Sequence, residues 1–426
     1  MSIARVRPGR LVGRMRAPPS KSYTHRALVV AHLAHRRFRV VSPLDSDDTR
    51  ATARALVALG SRVVRSREAW TVAPGSERDS LEPCTIDCGE SGTTLRFALA
   101  LSALSGREVR LVGRGRLPDR PIGPLVGALR ALGGSTSRPV GSRHHLPLTI
   151  RGPLRGGAVE VDASESSQYA SALLLIAPVL PEPTRLRLSG RIVSEPYLDA
   201  TIAVLQDRGI RLTRRGRSFG VPGGQQYRGG SYRVPGDASS AAYVWAAAAL
   251  SQGRVLVDGI SPTWPQADLA ILDILKSGGA RVRRVKNGAA VAAGERRPFS
   301  VDLTGAPDLY PLAGALGALT QGTSRLRGAP QIALKESDRR EGTERLVAAL
   351  GGRSRRTAHG LEIDGSVRPR GFSMTGETDH RLVMSAAVAA LAAEGPSRVG
   401  HAEAVRKSWP GFWTALESLR SPGGPR

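Results

Sequence analysis

The 426-residue chain carries a formal net charge of +26, with 41% hydrophobic and only 4% aromatic residues. That is enough for about two or three domains whose cores are built from Ala, Leu and Val. No apolar run reaches the roughly 20 residues that span a bilayer, and the basic N-terminus, Met1 to Arg16, lacks the apolar stretch of a signal peptide. A cytoplasmic protein with no membrane partner is expected.

Six segments rich in Ala and Leu recur along the chain, each opening with polar residues. They begin near Arg26, Arg96, Gln168, Ser240, Asp308 and Arg381. Their spacing of about 70 residues marks internal repetition, and helices apolar on all sides belong inside. A second, more amphipathic helix recurs and ends near Gly, as in Ala53 to Gly60, Leu125 to Gly134 and Glu344 to Gly352. Short β-type runs lie between them: Arg39 to Val41, Val109 to Val112, Leu186 to Leu188 and Val255 to Val257. The expected class is α/β, with six mixed modules whose sheets cover buried helices. The Gly-rich stretch from Gly220 to Gly236 is the best candidate boundary.

Polar clusters stand at the mouths of these helices. The first, S-K-S-Y-T-H-R, holds Ser20, Lys21, Ser22, Thr24 and Arg26 in a turn before a helix, but lacks the glycine frame of a nucleotide loop. The second, G-E-S-G-T-T-L-R, offers Gly92, Thr93 and Arg96 as an anion cradle at a helix N-terminus. Arg114, Arg116 and Arg120 follow in G-R-G-R-L-P-D-R-P-I. Ser166, Ser167 and Gln168 supply neutral donors, and S-E-P-Y adds Ser194 and Tyr197. Asp308 opens a buried helix, L-K-E-S-D-R gathers Lys335, Glu336, Asp338 and Arg339, and Arg381 and Lys407 complete the set. Only five of the basic residues are lysines, and Lys21, Lys335 and Lys407 each lie in a polar turn beside Ser. A compact ammonium able to shift its pKa suits proton transfer. Together the clusters describe a site that binds highly charged anions and moves protons. The two cysteines, Cys84 and Cys88, make neither a disulfide framework nor a credible metal site.

In this order, S-K-S-x-T-x-R, G-E-S-G-T-T-L-R, D-R-P-I, S-S-Q, S-E-P-Y, P-D, K-E-S-D-R, D-H-R and K-S-W-P resemble the 5-enolpyruvylshikimate-3-phosphate synthase family of enolpyruvyl transferases over nearly the whole chain. The resemblance implies a two-domain inside-out α/β barrel of six βαβαββ units. One domain would comprise residues 1–17 with 235–426 and the other residues 18–234, with the active site in the cleft between them. It also implies transfer of the enolpyruvyl group of phosphoenolpyruvate to the 5-hydroxyl of shikimate 3-phosphate, a shikimate-pathway step toward chorismate and the aromatic amino acids. No metal or cofactor would be needed, and glyphosate, an inhibitor of the family, would act here too.

Matched motif by motif, shikimate 3-phosphate would meet Lys21, Ser22, Arg26, Ser166, Ser167, Gln168, Ser194, Asp308, Gln331 and Lys335. Phosphoenolpyruvate would meet Lys21, Gly92, Arg120, Gln168, Arg339, Arg381 and Lys407, with Thr93, Arg96 and Tyr197 in support. Asp308 would exchange the hydroxyl proton, and Glu336 or Lys21 would deliver a proton to the methylene carbon. Glu90, where the family often has Asn, and Gln331, where it often has Asn or His, depart from the pattern, as does Pro19 in place of Gly.

The nearest alternative is the related transferase acting on UDP-N-acetylglucosamine. It usually carries a Cys in the loop that here reads R-G-R-L-P-D-R. The charge raises a nucleic-acid-binding alternative, which the scarcity of aromatics and the absence of any basic run longer than two weaken. Small anionic substrates, a monomer and no nucleic acid are expected.

Overall fold

A computed structural model describes residues 2–76, 80–139, 141, 143–366 and 369–421. The chain divides into two compact units, Met1–Pro18 with Pro235–Arg426, and Pro19–Val234.

The repeating module is clearest where it is continuous in sequence. Strand Cys84–Asp87 leads into helix Gly92–Ser102, strand Val109–Val112 and helix Gly123–Ala131, then strands Ser135–Ser137 and Leu148–Arg151. The first two strands pair in parallel across the helical crossover, and the last two add antiparallel. The same order builds the sheets within residues 157–221 and 300–365.

The remaining sheets draw one strand from far along the chain. Strand Phe38–Val41, which follows helix Lys21–Leu33, takes Gly230–Arg233 as its parallel neighbour. Strand Arg254–Asp258, which follows helix Ala238–Leu250, takes Val12–Arg16. Each strand that precedes a unit boundary thus pairs with the strand that follows the other boundary's helix. The N-terminal strand Ile3–Val6 closes the last sheet against Ser397–Gly400. The Gly-rich stretch ahead of Pro235 is therefore partly sheet, and its Tyr227 hydroxyl donates to the Leu175 carbonyl at 2.6 Å.

The first helices of the modules start at Lys21, Gly92, Gln168, Ala238, Tyr310 and His380. Every residue of Ala238–Leu250 is buried, which its Ala content permits, because small side chains let neighbouring elements close in. Its Trp245 donates to the Ala289 carbonyl at 3.0 Å, so even the large ring is satisfied. The second helices end at left-handed glycines, Gly60, Gly133 and Gly351, with φ of +85°, +107° and +81°. Among the described residues no helix is long and apolar enough to cross a membrane.

Candidate active site

In the unit Pro19–Val234 the S-K-S cluster is not a turn ahead of a helix but its opening. Ser20 is the N-cap and its hydroxyl accepts from the Tyr23 amide, so Lys21 and Ser22 already lie in the first helical turn. Lys21 Nζ lies 2.9 Å from Asp48 Oδ2. Arg26, buried, donates through Nη1 to the Ser22 carbonyl at 3.0 Å and to its hydroxyl at 2.6 Å. Its Nε reaches Thr201 Oγ1 at 2.9 Å and its Nη2 the Tyr197 carbonyl at 2.8 Å. Arg26 therefore ties Ser22 to the helix Pro196–Asp207, which contains Tyr197 and which Ser194 adjoins. Ser194 itself holds a left-handed φ of +56°, a strained conformation for a non-glycine residue and one often found at functional sites.

The Gly-rich turn is capped by Ser91, whose hydroxyl accepts from the Thr94 amide. Arg96 is buried and donates to the Gly92 carbonyl at 3.1 Å and the Pro121 carbonyl at 2.7 Å. Tyr169 also donates to the Pro121 carbonyl, at 2.6 Å. These bonds fix the segment that carries Arg120. The Arg120 and Arg96 guanidiniums pack against the Gly92 Cα so closely that a Cβ there would lie 2.5 and 2.6 Å from their nearest nitrogens. Two cations thus fill the space beside the Gly92 Cα.

Gln168 donates to Thr93 Oγ1 at 3.0 Å, joining the third cluster to the second, while its buried carbonyl oxygen has no partner among the described residues. Ser166 Oγ accepts from the Gln168 amide at 3.2 Å, and Ser167 is buried beside it. A buried hydroxyl chain runs beneath: His25 Nδ1 to Thr52 at 2.7 Å, Thr52 to Thr94 at 2.8 Å, and Thr94 to Ser91 at 2.8 Å. Burial pushes His25 down to about 3, so the ring is neutral.

The other unit holds a compact charge network. Arg339, 1% exposed, meets three carboxylates: Asp308 at 2.7 Å, Glu336 at 2.8 Å and Asp379 at 2.8 Å. Arg381 reaches the other oxygen of Asp308 at 2.9 Å, and Lys335 Nζ lies 3.8 Å from that carboxylate. Asp379 caps the helix His380–Ala390, accepting from the Arg381 amide at 2.8 Å and from Ser337 Oγ at 3.1 Å. Burial alone would raise the Asp308 carboxyl. Arg381, then Arg339 and Lys335, outweigh it and hold Asp308 well below the usual carboxylate range. Gln331 is buried in the turn Pro330–Leu334 and donates to the Thr304 carbonyl at 3.4 Å. Lys407 ends the short helix Ala402–Lys407, which packs on His380–Ala390.

Sequence reading passed over Asp48, Asp379, Thr201 and Ser239, the partners that hold Lys21, Arg339, Arg26 and Arg381. Asp379 and Asp48 carried a faint signal, as acidic residues at helix starts. Cys84 and Cys88 are free thiols, and burial pushes Cys88 up to about 12, which leaves it inert at neutral pH.

Residues 6–416 match the family model described as EPSP synthase (3-phosphoshikimate 1-carboxyvinyltransferase). The chain belongs to the EPSP synthase family. A 3-phosphoshikimate 1-carboxyvinyltransferase of Halobacterium salinarum is 39% identical over 98% of this chain and 98% of its own length. One of Thermococcus kodakarensis is 39% identical over 96% of this chain and 97% of its own. EPSP synthase from Acinetobacter baumannii shares the fold, with a TM-score of 0.79 over 99% of this chain and 98% of its own at 22% identity. In EPSP synthase terms, the residues of the matched motifs fall into two clusters, one on each unit.

Proposed function

We propose that this chain transfers the enolpyruvyl group of phosphoenolpyruvate to the 5-hydroxyl of shikimate 3-phosphate, releasing phosphate. On this reading it acts in the cytoplasm as a monomer, and the two clusters serve one pair of small anionic substrates. Asp308 gripped by both Arg339 and Arg381 is the observation that carries the reading.

In the resting protein those two cations suppress the basicity of Asp308. An incoming phosphate or carboxylate competes for the guanidiniums, and as they turn toward it the hold on Asp308 weakens and its proton affinity rises. The base is thereby armed only when the anionic substrate is present. The 5-hydroxyl oxygen then bonds to the central carbon of phosphoenolpyruvate while Asp308 accepts the hydroxyl proton and the methylene carbon gains one. In the second step the carbon–oxygen bond to phosphate breaks and the new methyl group gives back a proton, restoring the enol ether. Glu336 is tied to Arg339 at 2.8 Å, so it carries that carbon-bound proton only once substrate has loosened the pair. Lys21, held by Asp48, is the other donor. Arg120, Arg339 and Arg381 stabilise the negative charge of the tetrahedral intermediate. Arg26 fixes Ser22 for the shikimate phosphate, and Gln168 keeps an acceptor open for a hydroxyl of the shikimate ring.

A coupled phosphate-release assay offering shikimate 3-phosphate and UDP-N-acetylglucosamine in turn tests this. Release should require shikimate 3-phosphate, and equal turnover with the nucleotide sugar would sink the assignment. A salt-sensitive shift of nucleic acid on a gel at physiological ionic strength would favour the polyanion-binding reading instead.

A further inference from the structure

We propose that Asp268 is a positioning residue for Arg381, acting through the Ser239 hydroxyl to orient the guanidinium that also grips Asp308. This deepens the function proposed above and rests on it.

Asp268 lies in the short helix Ala267–Ala270 and is 3% exposed. Its loop is latched to the start of helix Ala238–Leu250 by Gln266, whose side chain accepts from the Ala238 amide at 2.8 Å and donates to the Gly236 carbonyl at 2.8 Å. The next residue of that helix start, Ser239, accepts from Arg381 Nη1, and the Asp268 helix packs on the same helix, which brings its carboxylate close to the Ser239 hydroxyl. A hydroxyl has one proton to give. With Asp268 ionised, that proton points to the carboxylate, which turns the hydroxyl lone pairs toward Arg381. Arg381 is then fixed at both ends of its fork, by Ser239 at Nη1 and by Asp308 at Nη2.

Asp268 Oδ1 is buried and has no hydrogen-bond partner among the described residues. The charged groups facing Asp268 are Asp308, Arg381 and Asp237, the last occupied in capping its own helix through the Ser240 amide at 3.0 Å. Burial first, then the charge of Asp308, push Asp268 up to about 6, against the pull of Arg381 and Ser239. Below that pH a protonated Asp268 no longer needs the Ser239 proton, and the hydroxyl is free to turn away from Arg381.

The test compares full-length wild type with Asp268→Asn, Ser239→Ala and the double variant. Asp268→Asn should lower kcat/KM for phosphoenolpyruvate about tenfold, leave KM for shikimate 3-phosphate unchanged, and abolish the acidic limb near pH 6. Its Tm at neutral pH should be no lower than wild type, because a buried charge has been removed. Ser239→Ala should show the same substrate-selective loss, and the double variant no more than either single one. Wild-type kinetics and an unchanged limb in Asp268→Asn would overturn the proposal, as would equal losses for both substrates with a lowered Tm, or additive losses in the cycle. The thermal upshift caused by phosphoenolpyruvate alone gives a readout independent of turnover. If wild type shows no acceptor-dependent phosphate release, the reaction assignment fails, while a weaker upshift in Asp268→Asn still supports the positioning role and an equal one refutes it.

Discussion

Adding one methyl group to Gly92 should separate phosphoenolpyruvate binding from everything else the protein does. The new Cβ would lie 2.5 Å from Arg120 Nη1, 2.7 Å from Arg120 Cζ and 2.6 Å from Arg96 Nη1. Ordinary non-bonded contact is about 3.5 Å, so a guanidinium must retreat by about 1 Å. Arg96 is poorly able to do so, because it is buried and bonded to the Gly92 and Pro121 carbonyls at 3.1 and 2.7 Å. That contact is relieved only by straining those bonds, and Arg120, one of the proposed phosphoenolpyruvate ligands, must retreat as well. A misplacement of about 1 Å costs up to about 100-fold in rate. Gly92→Ala should accordingly lower kcat/KM for phosphoenolpyruvate by about 10- to 100-fold and leave KM for shikimate 3-phosphate unchanged. Gly92 is the first residue of its helix and its φ is not in the left-handed region. The backbone therefore admits alanine, and the stability cost is that of the overpacking, about 1–3 kcal/mol. Steady-state phosphate release with each substrate varied, together with a melting curve, measures all three. Unchanged phosphoenolpyruvate kinetics, or equal losses toward both substrates, would refute the reasoning.

Three further outcomes follow from the charge network around Asp308. Asp308→Asn should cut kcat by about 100- to 10,000-fold as proton transfer fails, with the protein still folded; a rate within tenfold of wild type would remove Asp308 from the chemistry. Arg339→Met should destabilise the protein by about 3–5 kcal/mol, because it leaves Asp379, with no side-chain exposure, beside no cation at 2.8 Å; urea unfolding that shows less than about 1 kcal/mol lost would count against a buried ion-pair role. Because Asp308 is held below its ordinary value when folded, its stabilising contribution is fully present above the usual carboxylate range and disappears as pH falls through the folded value. Wild type should therefore lose stability below about pH 4 more steeply than Asp308→Asn, and parallel pH–stability curves would contradict this.

The repeated modules and their buried helices were legible because both signals are local. An Ala-rich run apolar on every side has to be interior, and its polar opening has to cap a helix. Ser91, Asp237 and Asp379 do cap the helices that follow them. The positions of Lys21 and Ser22 were less legible, because Ser20 N-caps the helix one residue ahead of Lys21 and draws the motif into the first turn.

By itself the sequence determined the order of elements, the α/β class and the family, since all three rest on periodicity, capping and motifs short enough to read in place. Only the tertiary structure decided which groups hold the charged residues. Arg339 finds Asp379, Arg381 finds Ser239, and Lys21 finds Asp48 across 40, 142 and 27 residues. Such pairings leave no local pattern, because they are made only when helices distant in sequence pack with their N-termini together. Asp268 shows the same limit most plainly: in sequence it is one acid among 36 acidic residues, and its meaning comes from the buried hydroxyl that the fold sets between it and Arg381.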